Sequence, residues 1–212
     1  MPPRVGVFSG TYPYERRPET VGWATRLGRV DVRIEREHDH PAVRALHLVA
    51  FGDHGHVVAR LVDDLRAAVA AGDGISLVAV DADDVVIGHV MFTASLLDAP
   101  QRLVPVQVLS PVGVAPAFQK RGVGSALIRH GLELLADRSV PLVFVEGAPG
   151  YYSRFGFEPA GDCGFRKPSL RIPDDAFQVL RLPVYEAWMK GTLIYAEAFW
   201  RHDAVGLRDA DE

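Results

Sequence analysis

A chain of 212 residues, 48% apolar and 24% charged, has the size of one substantial domain and enough apolar surface to fold, which excludes a disordered polymer. The formal charge of −4, without a long basic block, speaks against a nucleic-acid partner. No apolar run reaches the roughly 18 residues of a membrane span, no leader pattern follows Met1 and Cys163 stands alone, so the expectations are no membrane association, no intrachain disulfide and a cytoplasmic location.

Residues 1–29 show no convincing period around Tyr12, Pro13, Tyr14 and Pro18, and are expected to form an irregular arm before a domain at 30–200, with 201–212 as a tail. From Val30 the apolar Val30, Val32 and Ile34 alternate with Asp31, Arg33 and Glu35, which predicts a half-buried strand. Pro41 suits a helix start, and Val43, Leu46 and Ala50 continue at helical spacing to Gly52. A second helix follows on the stripe Val58, Leu61, Val62, Leu65 and Val69 and stops at Gly72.

The runs Ile75–Val80 and Val85–Thr93, joined by Asp81-Ala82-Asp83-Asp84, predict a hairpin. A third run, Leu103–Val114, is broken by Ser110-Pro111 and Gly113, and such breaks within a strand mark a bulge or the close approach of another group. Gly122–Asp137 reads as a helix carrying Val123, Leu127, Leu134 and Leu135 on one face, where Gly131 would let it lie close to a sheet. Pro141–Val145 is a short strand apolar on both faces, followed by the aromatic segment Tyr151–Phe157. Phe177–Leu182 and Gly191–Tyr195 read as late strands, and the order implies a mixed α/β sheet with helices on its faces.

The stretch Val112-Gly113-Val114-Ala115-Pro116-Ala117-Phe118-Gln119-Lys120-Arg121-Gly122-Val123-Gly124-Ser125 runs from strand through a basic glycine turn into a helix. The first N–H groups of a helix lack intrahelical partners and sit at its positive dipole end, so a pyrophosphate docks there if no side chain intervenes. Gly122 and Gly124 leave the approach open, and Lys120 and Arg121 add charge. A Walker loop is excluded because no Gly-Lys-Ser/Thr follows, and a Rossmann turn because Leu127 occupies the third glycine position.

Gln119-Lys120-Arg121-Gly122-Val123-Gly124 resembles the Gln/Arg-x-x-Gly-x-Gly/Ala signature of the GNAT acetyltransferases, with Val112-Gly113-Val114-Ala115-Pro116 also in place upstream. Tyr151-Tyr152-Ser153-Arg154-Phe155-Gly156-Phe157 is similar to the aromatic segment of the same superfamily, and the resemblance spans roughly Val30 to Leu182. A looser likeness, to a bacterial subgroup of predicted N-acetyltransferases, lies in Pro149-Gly150-Tyr151-Tyr152 and Gly191–Phe199.

The resemblance implies a mostly antiparallel α+β sheet whose strand ending near Val114 splays from Leu142–Val145. It implies acetyl-CoA as cofactor, its pantetheine arm against the main chain of Val112 and Val114 and its pyrophosphate on the turn formed by Gln119, Lys120, Arg121, Gly122, Val123, Gly124 and Ser125. An N–H near Val112 would face the developing oxyanion. Tyr152 matches the family tyrosine that protonates the leaving thiolate, with Tyr151 expected to pack. An alkylamine with a pKa near ~10.4 needs a base, for which Glu146 is the candidate against the alternative of a solvated carboxylate.

The implied reaction is direct acetyl transfer to a primary amine, on a small molecule or on a peptide or protein. A non-catalytic acyl-CoA-binding module is the alternative, and a homodimer is left open. His38 with His40, and His54 with His56, fall in expected loops without a tetrahedral set, so no metal is expected; His54 or His56 remains a candidate for substrate contact. Cys163 has no evident partner base and reads as an incidental thiol.

Overall fold

The computed structural model describes residues 20–25, 28–70 and 72–206. Among these, the strands are β1 (Thr20–Thr25), β2 (Gly28–Ile34), β3 (Ile75–Val80), β4 (Val86–Asp98), β5 (Leu103–Val114), β6 (Leu142–Glu146), β7 (Glu158–Pro159), β8 (Phe177–Arg181) and β9 (Thr192–Ile194). The helices are α1 (His40–Ala50), α2 (Gly55–Ala70), α3 (Val123–Asp137), α4 (Pro149–Tyr152) and α5 (Glu197–Arg201). The strands form one sheet in the order β1-β2-β3-β4-β5-β6-β8-β7, with β9 joined to the far half of β4. Every named pair is antiparallel except β5 with β6.

The sheet separates two cores. On one face Val43 of α1 and Val58, Leu61, Val62 and Leu65 of α2 pack with Met91, Val106, Phe144 and Phe177. Phe144 stacks on Phe177 at 5.6 Å and meets Phe165 edge-on at 5.2 Å, and burying an aromatic of this kind contributes about 1.5–3 kcal/mol. On the other face α3 buries Val123, Leu127, Ile128, Leu134 and Leu135 against Leu77, Val90, Phe92 and Val143. The helix lies close because it has no side chain at Gly131, where a Cβ would sit 2.1 Å from Cε2 of Phe92.

Several expectations are corrected. The irregular arm is not irregular throughout: Thr20–Thr25 pairs in register with β2, from Thr20 opposite Arg33 to Thr25 opposite Gly28, so that Gly28 and Arg29 also belong to a strand, while residues 1–19 and 26–27 lie outside the described residues. Cross-strand pairing, not a local period, makes β1. The tail is likewise part of the fold at its start, since Val205 is buried in the core of α1 and α2.

Nor is the charged side of β2 solvated. Arg33 forks onto Asp39 at 2.6 and 2.9 Å, and Glu35 accepts from Arg66 at 2.8 Å and from Ser76 at 2.6 Å, with the Arg33, Asp39 and Glu35 side chains each 3% exposed. Partnering the charges is what permits α1 and α2 to cover them. The strand β4 also runs beyond its expected end at Thr93 to Asp98, because its last residues gain a second partner in β9.

Candidate functional site at the fork between two strands

The break in β5 at Ser110-Pro111 creates the site. Val90 of β4 faces Val112, but Phe92 faces Leu109, so β5 carries an extra residue and bulges where proline and small residues permit it. On its other side β5 pairs with β6 only at Gln107, Val108 and Leu109, opposite Val143, Phe144 and Val145. Beyond that point the two strands part: Ser110–Val114 continue alongside β4 alone, and β6 ends at Glu146.

A cavity of about 740 Å³ opens at this fork. Its walls include Ser110, Pro111 and Val112 of β5, Glu146 and the following Gly147, Phe51 and His54 from the α1–α2 connection, and Tyr152 of α4. His56, the alternative substrate-contact candidate, is exposed within α2 and does not line it. Among the described residues no three His, Cys, Asp or Glu side chains are grouped so as to hold a metal ion.

Next to the fork lies the start of α3. A short 3-10 turn at Pro116–Phe118 leads through Lys120 at φ 58° to Gly122 at φ 97°, a left-handed conformation that glycine adopts without a Cβ penalty. The Gly122 carbonyl accepts the Ala126 N–H at 3.0 Å, which leaves the N–H groups of Val123, Gly124 and Ser125 without partners inside the helix. Lys120 and Arg121 are exposed on the same turn. Gln119 Nε2 donates to the Val114 carbonyl at 3.1 Å, which braces the turn against the end of β5.

Tyr152 is buried, 8% exposed, with its ring edge-on to Tyr151 and Phe157 at 5.0 and 5.8 Å. Burial, and secondarily Tyr151, pushes its phenol up, so the hydroxyl stays protonated and able to donate across the neutral range. Glu146 accepts the Gly206 N–H at 3.3 Å, a contact from the C-terminal segment, whose Ala204 also lines the cavity.

Tyr151 proves more than a packing neighbour. Its hydroxyl lies 2.8 Å from where a Cβ on Gly124 would stand, beside the unpartnered N–H groups of α3. Burial raises its pKa, partly offset by the Ser125 side chain and by Arg154, whose guanidinium covers the ring at 4.8 Å. Asp175 and Ala204 are further wall residues that no local pattern announced. Cys163 lies elsewhere, its thiol 3.8 Å from Glu158, with burial as the main cause of an upward shift that makes it a poorer nucleophile.

Comparison with known proteins agrees with this geometry. The family model described as an acetyltransferase (GNAT) domain matches residues 31–160. The chain is 36% identical over 145 residues to the uncharacterized N-acetyltransferase YjhQ of Escherichia coli, covering 67% of this chain and 77% of that one. It is 34% identical over 156 residues to YhbS of the same species, an uncharacterized N-acetyltransferase, covering 71% and 86%. The crystal structure of Escherichia coli YhbS in complex with CoA superposes with a TM-score of 0.71 at 29% identity, covering 89% of this chain and 97% of that one. A GNAT family acetyltransferase from Brucella melitensis in complex with acetyl-CoA gives 0.63 at 30% identity, covering 80% and 97%. With the forked sheet, the glycine-capped helix and these relatives in agreement, the chain belongs to the GNAT family of acetyltransferases.

Proposed function

We propose that the protein transfers an acetyl group from acetyl-CoA to a primary amine by direct attack, both substrates being bound at once. The observation that carries this reading is the parting of β5 from β6 after three residue pairs, at the mouth of a cavity and beside the bare start of α3. The geometry fits the cofactor. The main chain of Val112 and Val114 borders the fork, and the N–H groups of Val123, Gly124 and Ser125 offer donors to a pyrophosphate, with Lys120 and Arg121 adding positive charge.

When bound, acetyl-CoA supplies the activated acyl group; the chain supplies orientation, a base and a proton. Glu146 at the end of β6 is the candidate to receive the ammonium proton, because it lines the cavity and the Gly206 N–H fixes one of its oxygens. Tyr152 is the candidate to return a proton to the sulfur as the carbon–sulfur bond breaks, because its buried hydroxyl remains protonated. The ammonium gives up two protons in becoming the amide, the first to Glu146 before attack and the second from the adduct nitrogen; one of the two restores the Tyr152 hydroxyl after it has protonated the thiolate, and the other leaves to solvent. The CoA complex of Escherichia coli YhbS and the acetyl-CoA complex of the Brucella melitensis acetyltransferase support the choice of cofactor.

Thermal unfolding with and without acetyl-CoA tests the reading before any acceptor is known. A ligand at 100 times its dissociation constant adds about 2.7 kcal/mol to the native state, so a saturable rise in Tm is expected. No rise in Tm and no heat of binding at high ligand concentration would remove the cofactor assignment.

A further inference from the structure

The start of α3 has a second neighbour besides the fork. Tyr151 reaches it from α4, its hydroxyl beside Gly124 and the Ser125 side chain. Phe155, in the 3-10 turn that follows α4, meets the Tyr151 ring edge-on at 5.6 Å. Both rings are half-buried, and each carries an exposed guanidinium on its face. Arg154 lies over Tyr151 at 4.8 Å, and Arg129 of α3 lies over Phe155 at 5.3 Å.

The rings orient the two cations. A guanidinium stacked on an aromatic face keeps its fork of N–H donors free for an anion at its edge. Arg154 Nη2 is further steadied by donating to the Gly150 carbonyl at 3.4 Å. Neither arginine forms an ion pair with a carboxylate among the described residues; the first acidic residue beyond Arg129 along α3 is Glu133, whose carboxylate lies 3.8 Å from His130. Arg129 follows Ser125 by four residues, one turn along the same face of α3. Two preset guanidiniums therefore stand next to the N–H groups of Val123, Gly124 and Ser125, joined to them through Tyr151.

Acetyl-CoA brings more than a diphosphate to this end of the molecule. Its ribose bears a phosphate monoester on the 3′-oxygen, and such a group carries about −1.5 to −2 charge at pH 7 with three strong acceptor oxygens, the chemistry a guanidinium fork matches. In the proposed function the helix N–H groups, with Lys120 and Arg121, take the diphosphate, and the monoester lies one ribose away from it. We infer that Arg154 and Arg129 hold the 3′-phosphate, so that the chain distinguishes CoA from its 3′-dephospho form at two guanidiniums stacked on Tyr151 and Phe155. This inference rests on the proposed function for the course of the cofactor along α3, but it concerns the nucleotide end, remote from acetyl transfer.

The experiment is calorimetric titration of the full chain with CoA and with 3′-dephospho-CoA. CoA is expected to bind about tenfold more tightly, the scale of charge-assisted hydrogen bonds to one phosphate. Arg154→Gln and Arg129→Gln should each weaken CoA and leave 3′-dephospho-CoA within about twofold of the wild type, and the double variant should bind the two ligands alike. Added salt should narrow the wild-type preference and leave the double variant's ratio near one. Equal affinity of the wild type for the two ligands overturns the inference. So does an equal loss of both ligands in the variants, which would assign the guanidiniums to the diphosphate, and so does a preference that survives in the double variant. Binding of neither ligand removes the cofactor assignment and the inference together. A preference lost in the double variant, in a protein that acetylates no primary amine, leaves the inference standing while the proposed function falls.

Discussion

His47 of α1 and His89 of β4 share a hydrogen bond of 2.7 Å between Nε2 and Nδ1, with both rings fully buried. His89 Nε2 continues to Ser76 Oγ at 2.9 Å, and Ser76 donates to Glu35 at 2.6 Å. Burial is the largest cause acting on both histidines and lowers their affinity for protons, taking His47 to about 2. Both therefore stay neutral in the fold at pH values where an unfolded histidine, with a pKa near 6.5, binds a proton.

The consequence is acid sensitivity. Above pH 6.5 neither state is protonated at these sites and their contribution is fully present; as pH falls below 6.5, the unfolded chain gains protons that the native state refuses. Each histidine should then reduce stability by up to about 1.4 kcal/mol per pH unit until its native pKa is reached. Glu35, whose pKa is lowered by His89 and Arg66 against the cost of burial, adds to the loss below the ordinary carboxylate range. Urea unfolding between pH 7 and 4.5 should show the slope, and His47→Leu should flatten it by roughly half. An unchanged slope in the variant would show that His47 titrates normally.

Tyr152→Phe should lower kcat by roughly 10²-fold, the lower end of the usual effect of a positioned general acid, and leave acetyl-CoA affinity almost unaltered. Steady-state rates alongside calorimetry separate the two quantities. Equal loss of turnover and affinity would assign the hydroxyl to binding. Because burial raises the phenol, the wild-type rate should show no alkaline decline from this group up to pH 10.

Gly124→Leu should eliminate the acetyl-CoA-dependent rise in Tm, since the new side chain must displace the Tyr151 hydroxyl from the start of α3 and cover its N–H groups. Far-UV circular dichroism should remain that of the wild type. A retained rise would place the pyrophosphate elsewhere.

Gly131→Ala should destabilise the protein by about 1–3 kcal/mol through overpacking against Phe92. Combining it with Phe92→Leu should recover part of that loss, which denaturant unfolding of the single and double variants measures. Additive losses would mean that the helix accommodates the methyl group by some other route.

The sequence disclosed those parts of the site that depend on neighbours along the chain: the interrupted strand at Ser110-Pro111, the Gly122-Val123-Gly124 turn and the aromatic pair at 151–152. Hidden were the parts made by distant pairing. Asp175 shares the cavity wall with Glu146 only because β8 runs antiparallel to β6, and Ala204 reaches the cavity only after α5 has packed. Tyr151 looked like packing because its position over Gly124 requires α4 to close against α3. Arg33 and Glu35 imitated a solvent face because an alternating pattern records polarity, and polarity alone does not reveal that Asp39 and Arg66 lie opposite.

Three residue pairs are the whole seam between β5 and β6, so the sheet is two panels joined by a narrow hinge. Amide hydrogens near the free side of that hinge should exchange quickly in the empty protein, and a molecule wedged between the panels would both slow the exchange and fix the angle at which Ser110–Val114 of one panel meets Glu146 and Tyr152 of the other.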